Sequence, residues 1–153
     1  MYPNHSSYIL LADDDKDDRF LFREALREVR NDIHLLTAEH GKALMEMLFH
    51  ATILPDLILL DINMPFKNGK ECLIEIKNDR ILSEIPVIMY STSSNPRDIE
   101  DTYRAGANLY IEKPFSFSGL TELLGKVLML DWSQYIPRPD RSLFVYQTEK
   151  PRR

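Results

Sequence analysis

The sequence contains one cysteine, Cys72, in 153 residues. This excludes a disulfide framework and any zinc site built on cysteine pairs. Cys72 falls within a helical apolar pattern and reads as a small core residue. Surplus basic charge is missing too: 19 Lys and Arg against 24 Asp and Glu leave a net charge of −5. A protein that grips nucleic acid through phosphate contacts needs the opposite balance, so no nucleic-acid partner is expected. Long hydrophobic runs are absent. The apolar stretch from Tyr8 to Ala12 is too short for a signal peptide or a membrane span, and no Lys or Arg precedes it. No membrane association is expected, and the cytoplasm is the expected compartment. There is no internal repeat and no low-complexity tract. A chain of this length makes one domain with a real core, and a second output domain of ordinary size is not expected beside it.

What is present alternates regularly. Tyr8 to Ala12 reads as a strand, and Phe22, Ala25, Leu26 and Val29 then recur at helical spacing. Asp14 or Asp15 is placed to cap that helix, with Asp17 and Asp18 in its first turn, where the helix dipole favours anions. Ile33 to Ala38 is a second strand, and Ala43, Leu44, Met47 and Leu48 mark a second helix. The run Leu57 to Asp61, set between Pro55 and Pro65, reads as a third strand buried on both faces. Cys72, Leu73 and Ile76 stripe a third helix after Gly69. Pro86 to Tyr90 is a fourth strand, Ile99 to Ala105 a fourth helix ended by Gly106, and Asn108 to Ile111 a short fifth strand. Leu120, Leu123, Leu124, Val127 and Leu128 stripe a fifth helix. Five strand–helix units in strict alternation predict an α/β fold, a doubly wound five-stranded parallel sheet with helices on both faces.

Open sheets of this kind bind ligands at the carboxyl ends of their strands. Asp13, Asp14 and Asp15 end the first strand, Asp61 ends the third, and Lys113-Pro114 follows the fifth. Carboxylates gathered at one edge repel one another, and a hard divalent cation relieves the repulsion. With one lysine beside them, they suggest a magnesium-dependent site that handles a phosphoryl group.

These residues resemble the receiver domain of bacterial two-component response regulators, the CheY-like (βα)5 fold of flavodoxin-like topology. The resemblance covers Tyr8 to about Leu130. It is carried by Asp13-Asp14, by Asp61-x-Asn63-x-Pro65-x-x-x-Gly69, by Ser91 after the fourth strand, and by Lys113-Pro114. Around Thr92-Ser93-Ser94-Asn95-Pro96 the wording looks most like small stand-alone receivers. The resemblance implies that Asp61 is the phosphoacceptor, served by Lys113 and Ser91. It implies Mg2+ held by Asp14 and Asp61, by Asp13 through water, and by the Asn63 carbonyl. Ser91 and Tyr110 would form the switch, Tyr110 turning inward as Ser91 moves toward the phosphoryl oxygens. A sensor histidine kinase would be the donor. The output would be a downstream protein target, a homodimer, or a histidine phosphotransfer protein in a phosphorelay. Ser91 stands where threonine is more frequent, and Tyr90 where an aliphatic residue is usual.

An aspartyl-phosphate phosphohydrolase is the enzyme alternative. Haloacid-dehalogenase-type enzymes put a second Asp two residues after the nucleophile, where this chain has Asn63, so no turnover of external phosphate esters is expected. The receiver unit is expected over 1–131. Residues 132–153 form a tail broken by Pro137, Pro139 and Pro151. Its apolar patch Leu143-Phe144-Val145-Tyr146 is expected to cover a surface of the domain or of a second subunit.

Overall fold

The computed structural model describes residues 7–147. Five strands, β1 (Tyr8–Ala12), β2 (His34–Ala38), β3 (Leu57–Leu60), β4 (Val87–Ser91) and β5 (Leu109–Glu112), form one sheet in the order β2-β1-β3-β4-β5. All neighbouring pairs are parallel. Helices α1 (Lys16–Val29), α2 (Gly41–His50), α3 (Gly69–Asn78) and α4 (Pro96–Arg104) connect the strands, and α5 (Phe117–Val127) follows β5. The doubly wound expectation holds. Strand order reverses between β1 and β3, so the crevice outside their carboxyl ends is the switch point of the sheet.

The apolar runs of the sequence have a direct cause. Each central strand feeds two cores with alternate side chains. Ile58 and Leu60 face one core with Leu44, Leu48, Leu73 and Ile76 of α2 and α3. Leu57 and Leu59 face the other, with Phe22 and Leu26 of α1 and Leu120 and Leu124 of α5. β2, at the edge, alternates instead: His34 and Leu36 are exposed, Leu35 and Thr37 are half-buried, and only Ala38 at its carboxyl end is buried.

Strand boundaries differ from the sequence reading by about one residue. Ile33, Asp61, Pro86 and Asn108 lie just outside the strands, while Ser91 and Glu112 lie inside. Asp61 still donates its N–H to Ala12 O at 3.0 Å, which fixes the backbone while the side chain leaves the sheet. Asn108 turns its amide inward, and its Oδ1 accepts from Val87 N–H at 2.9 Å. Asp15, not Asp14, caps α1, accepting from Asp17 and Asp18 N–H, so the Asp14 carboxylate is left to the sheet edge. Asn68 and Glu71 form a capping box that starts α3, and Ser116 caps α5.

Beyond α5 the chain wraps the β5 edge. A 3-10 turn, Trp132–Gln134, sets Trp132 and Tyr135 on the α1–α5 core. A short helix α6 (Arg141–Phe144) then delivers Phe144 to the opposite core. Val145 bridges to Tyr110 in the parallel sense, which covers an otherwise unpaired sheet edge. Among the described residues no helix is long and apolar enough to cross a membrane.

Candidate functional site

The carboxyl ends of β1, β3 and β5 bring Asp13, Asp14, Asp61 and Lys113 together. One carboxylate oxygen from each aspartate lies within 4.8 Å of the others. Asp13 and Asp61 are buried and Asp14 is exposed, so the cluster opens to solvent on the Asp14 side. Lys113 Nζ stands among the acids, 2.7 Å from Asp13 Oδ2, 3.0 Å from Asp18 Oδ2 and 3.2 Å from Asp61 Oδ2. Main-chain N–H groups orient the carboxylates: Ile62 donates to Asp61 Oδ1 at 2.8 Å and Asp15 to Asp13 Oδ1 at 3.0 Å. Arg19 donates to Asp13 O at 2.8 Å and ties α1 to the end of β1.

Electrostatics follow from burial and from charge count. Burial pushes Asp13 up to about 6, against the nearby Lys113. Burial also raises Asp61, again opposed by Lys113. Lys113 is itself desolvated, yet Asp13 and Asp61 hold its pKa above the ordinary lysine value. Tyr90 packs by this ammonium, its ring centroid 5.4 Å from Nζ, and makes an edge-to-face contact with Phe22. One cation among four carboxylates leaves the cluster negative. Asp13 Oδ2 is buried and makes no well-formed hydrogen bond, despite its ion-pair contact with Lys113. Three carboxylates whose oxygens lie this close form an all-oxygen donor set that suits a hard divalent cation.

Ser91 is fully buried at the end of β4, and its Oγ accepts from Ser93 N–H at 3.1 Å. Tyr110 is buried in β5, and its hydroxyl donates to Ser93 O at 2.7 Å. Burial raises the Tyr110 pKa, and hydrogen bonding to Ser93 and Ser91 works against that rise. Both residues are thus tied to Ser93, beside the acidic cluster and outside it. Asn63 is exposed in the loop that follows Asp61.

Two features escaped the sequence reading. Asp18, which the sequence marks only as a first-turn acid, reaches Lys113. The signal was available once Asp15 was known as the cap, because the first turn of α1 then lies at the same sheet edge. The second is a relay on the β4–α4 loop. Ser93 Oγ donates to Asp98 Oδ2 at 2.7 Å, and Asp98 pairs with Lys70 of α3, also at 2.7 Å. Ser93 and Lys70 carry no pattern that announces this pairing.

Comparison with known proteins agrees with this geometry. Residues 9–125 match the family described as response regulator receiver domain. Response regulator Rcp1 of Synechocystis sp. is 35% identical over 126 residues, covering 79% of this chain and 86% of that protein. The structure of the phosphorylated cyanobacterial phytochrome response regulator RcpA superposes with a TM-score of 0.76 at 34% identity, covering 87% of this chain and 96% of that one. The Mn2+-bound form of Rcp1 gives 0.74 at 32% identity, covering 88% and 99%. With the match spanning most of the chain, and the acidic cluster and lysine at the ends of β1, β3 and β5, this protein belongs to the receiver-domain family of two-component response regulators.

Proposed function

We propose that Asp61 accepts a phosphoryl group from a sensor histidine kinase in a Mg2+-dependent reaction, and that the modified protein signals through protein–protein contact. One observation carries this reading: a buried Asp61 carboxylate, oriented by Ile62 N–H, beside two further aspartates and in contact with Lys113. A carboxylate oxygen of Asp61 attacks the phosphorus of a phosphoimidazole. The P–N bond breaks, its electron pair stays on the imidazole nitrogen, and Asp61 becomes an acyl phosphate. Such transfers depend on positioning and on stabilising charge at the phosphoryl oxygens. Lys113 already lies beside Asp61 and pairs with one of those oxygens. Ser91 turns its hydroxyl toward another. Asp14, Asp61 and the Asn63 carbonyl would hold the magnesium, with Asp13 acting through water, and the ion would neutralise charge on the approaching anion. Leu21, Phe115 and Phe117 line the cleft beside Lys113 and offer the donor an apolar rim. RcpA is a phytochrome response regulator, so a phytochrome-type kinase is the first donor to try.

Incubation with acetyl phosphate and magnesium should add one phosphoryl group to the wild type, none with EDTA present, and none to Asp61→Asn. Efficient labelling of Asp61→Asn at another residue would overturn the assignment.

A further inference from the structure

Past the 3-10 turn, the chain carries Phe144 to the side of β5 that bears Tyr110. Phe144 is fully buried, its ring 6.1 Å from that of Tyr110 and 5.0 Å from that of Tyr103 on α4, both edge-on. Tyr103 donates its hydroxyl to Pro139 O at 3.1 Å, and the Arg138 guanidinium stacks 4.2 Å over the Tyr103 ring. Arg141 reaches Glu100 of α4 at 3.4 Å. Tyr146 N–H donates to Tyr110 O at 2.9 Å. The segment is thus held to β5 by main chain and to α4 by side chains.

Tyr110 is fixed at both ends as a result. Phe144 packs on its ring, and Ser93 O accepts from its hydroxyl. Ser93 is tied in turn to Ser91, through its N–H, and to Asp98, through its own hydroxyl. A continuous run of contacts therefore leads from Phe144 to Ser91, the hydroxyl beside the Asp61 site.

We infer that residues 137–147 are an intramolecular ligand of the α4–β5 face, and that their docking is coupled to phosphoryl occupation of Asp61. The coupling rests on the reading of Asp61 as phosphoacceptor. Its sign follows from ordering. A docked segment removes freedom from Tyr110 and, through Ser93, from the loop that follows Ser91. A loop already ordered loses less entropy when Ser91 turns to the phosphoryl group. Docking and phosphoryl binding therefore favour each other, and reciprocity requires the same factor in both directions. A partner competing for this face meets a more firmly held segment in the phosphorylated protein.

The test uses the full chain as wild type, Phe144→Ala and Tyr146→Pro. Beryllofluoride with magnesium is titrated by calorimetry, and amide exchange of residues 144–147 is followed with and without it. Circular dichroism melts report folding; Tyr146→Pro removes the N–H to Tyr110 O together with the Tyr146 side chain, leaves Phe144 in place, and keeps the test open should Phe144→Ala unfold. The wild type should bind the mimic and show slower exchange in 144–147. The variants should bind at least about fivefold more weakly, the lower end of usual couplings between sites. Equal affinity in wild type and folded variants, with unchanged exchange, overturns the coupling alone. Failure of the wild type to bind overturns the Asp61 reading together with it. Exchange protection that falls on dilution assigns the segment to a second copy and overturns the intramolecular form.

Discussion

Lys77 and Cys72 both lie on α3, and burial shifts their pKa values in opposite senses. Among the described residues the Lys77 ammonium has no carboxylate partner; it donates to Ser83 O at 3.2 Å, Ile85 O at 2.9 Å and Asn108 Oδ1 at 3.0 Å. Burial pushes its pKa from 10.5 down to about 8. Burial pushes the Cys72 thiol from 9.0 up to about 11. Between pH 8 and 10.5 the unfolded chain binds more protons at Lys77, so this group raises stability as pH rises. Between pH 9 and 11 the folded chain binds more protons at Cys72, so that group lowers stability as pH rises. The two contributions offset each other in the wild type. Lys77→Met removes the offsetting contribution, so its urea midpoint should fall more steeply from pH 9 to 10.5 than that of wild type. Parallel profiles would remove the lysine from this account.

At the scale of elements, two glycines make opposite demands. Gly125 lies inside α5, and a Cβ built there meets nothing within 4 Å. Gly125→Ala should stabilise the protein by about 0.5–1 kcal/mol, through lost chain freedom in the unfolded state. Gly69 opens α3 against the end of β3, and a Cβ there would stand 2.0 Å from Asp61 O. Gly69→Ala must displace the backbone that aims Asp61, so thermal stability and beryllofluoride affinity should fall together; a variant as stable as wild type with full affinity would contradict the close approach. This proximity explains why much of the site was legible in the sequence. Parallel strands buried on both faces show as unbroken apolar runs, and the polar residues that stop Leu57 to Leu60 or Tyr8 to Ala12 lie at the sheet edge by construction. Asp18, Ser93 and Lys70 were not legible, because their partners come from other elements and no local period reports them. Nor did the pattern distinguish Asp14 from Asp15 as the cap of α1, since either carboxylate suits that position.

The whole molecule is closed at the β5 edge by the chain beyond α5, and one buried amide holds the root of that closure. Asn108 Oδ1 accepts from Val87 N–H and Lys77 Nζ, while Nδ2 donates to Tyr135 O at 3.0 Å and Pro137 O at 3.2 Å. The side chain thereby joins the start of β4, the end of α3 and the segment leaving the 3-10 turn. Nothing in the apolar pattern marks this joint, because Asn108 looks like an ordinary polar residue before a strand. Its position decides what its loss does. Asn108→Ala would leave Val87 N–H and the two carbonyls without this partner and would take one acceptor from a buried ammonium. An unsatisfied buried group costs about 1–3 kcal/mol, more where a charge is involved. The variant should therefore lose at least that much stability in urea. Its amide exchange should rise first around Tyr135 to Pro139, while β1 and β3, whose ladder bonds do not touch Asn108, should keep their protection until global unfolding. Uniform loss of protection across the sheet would mean that Asn108 supports the core as a whole and not the root of the wrapped segment.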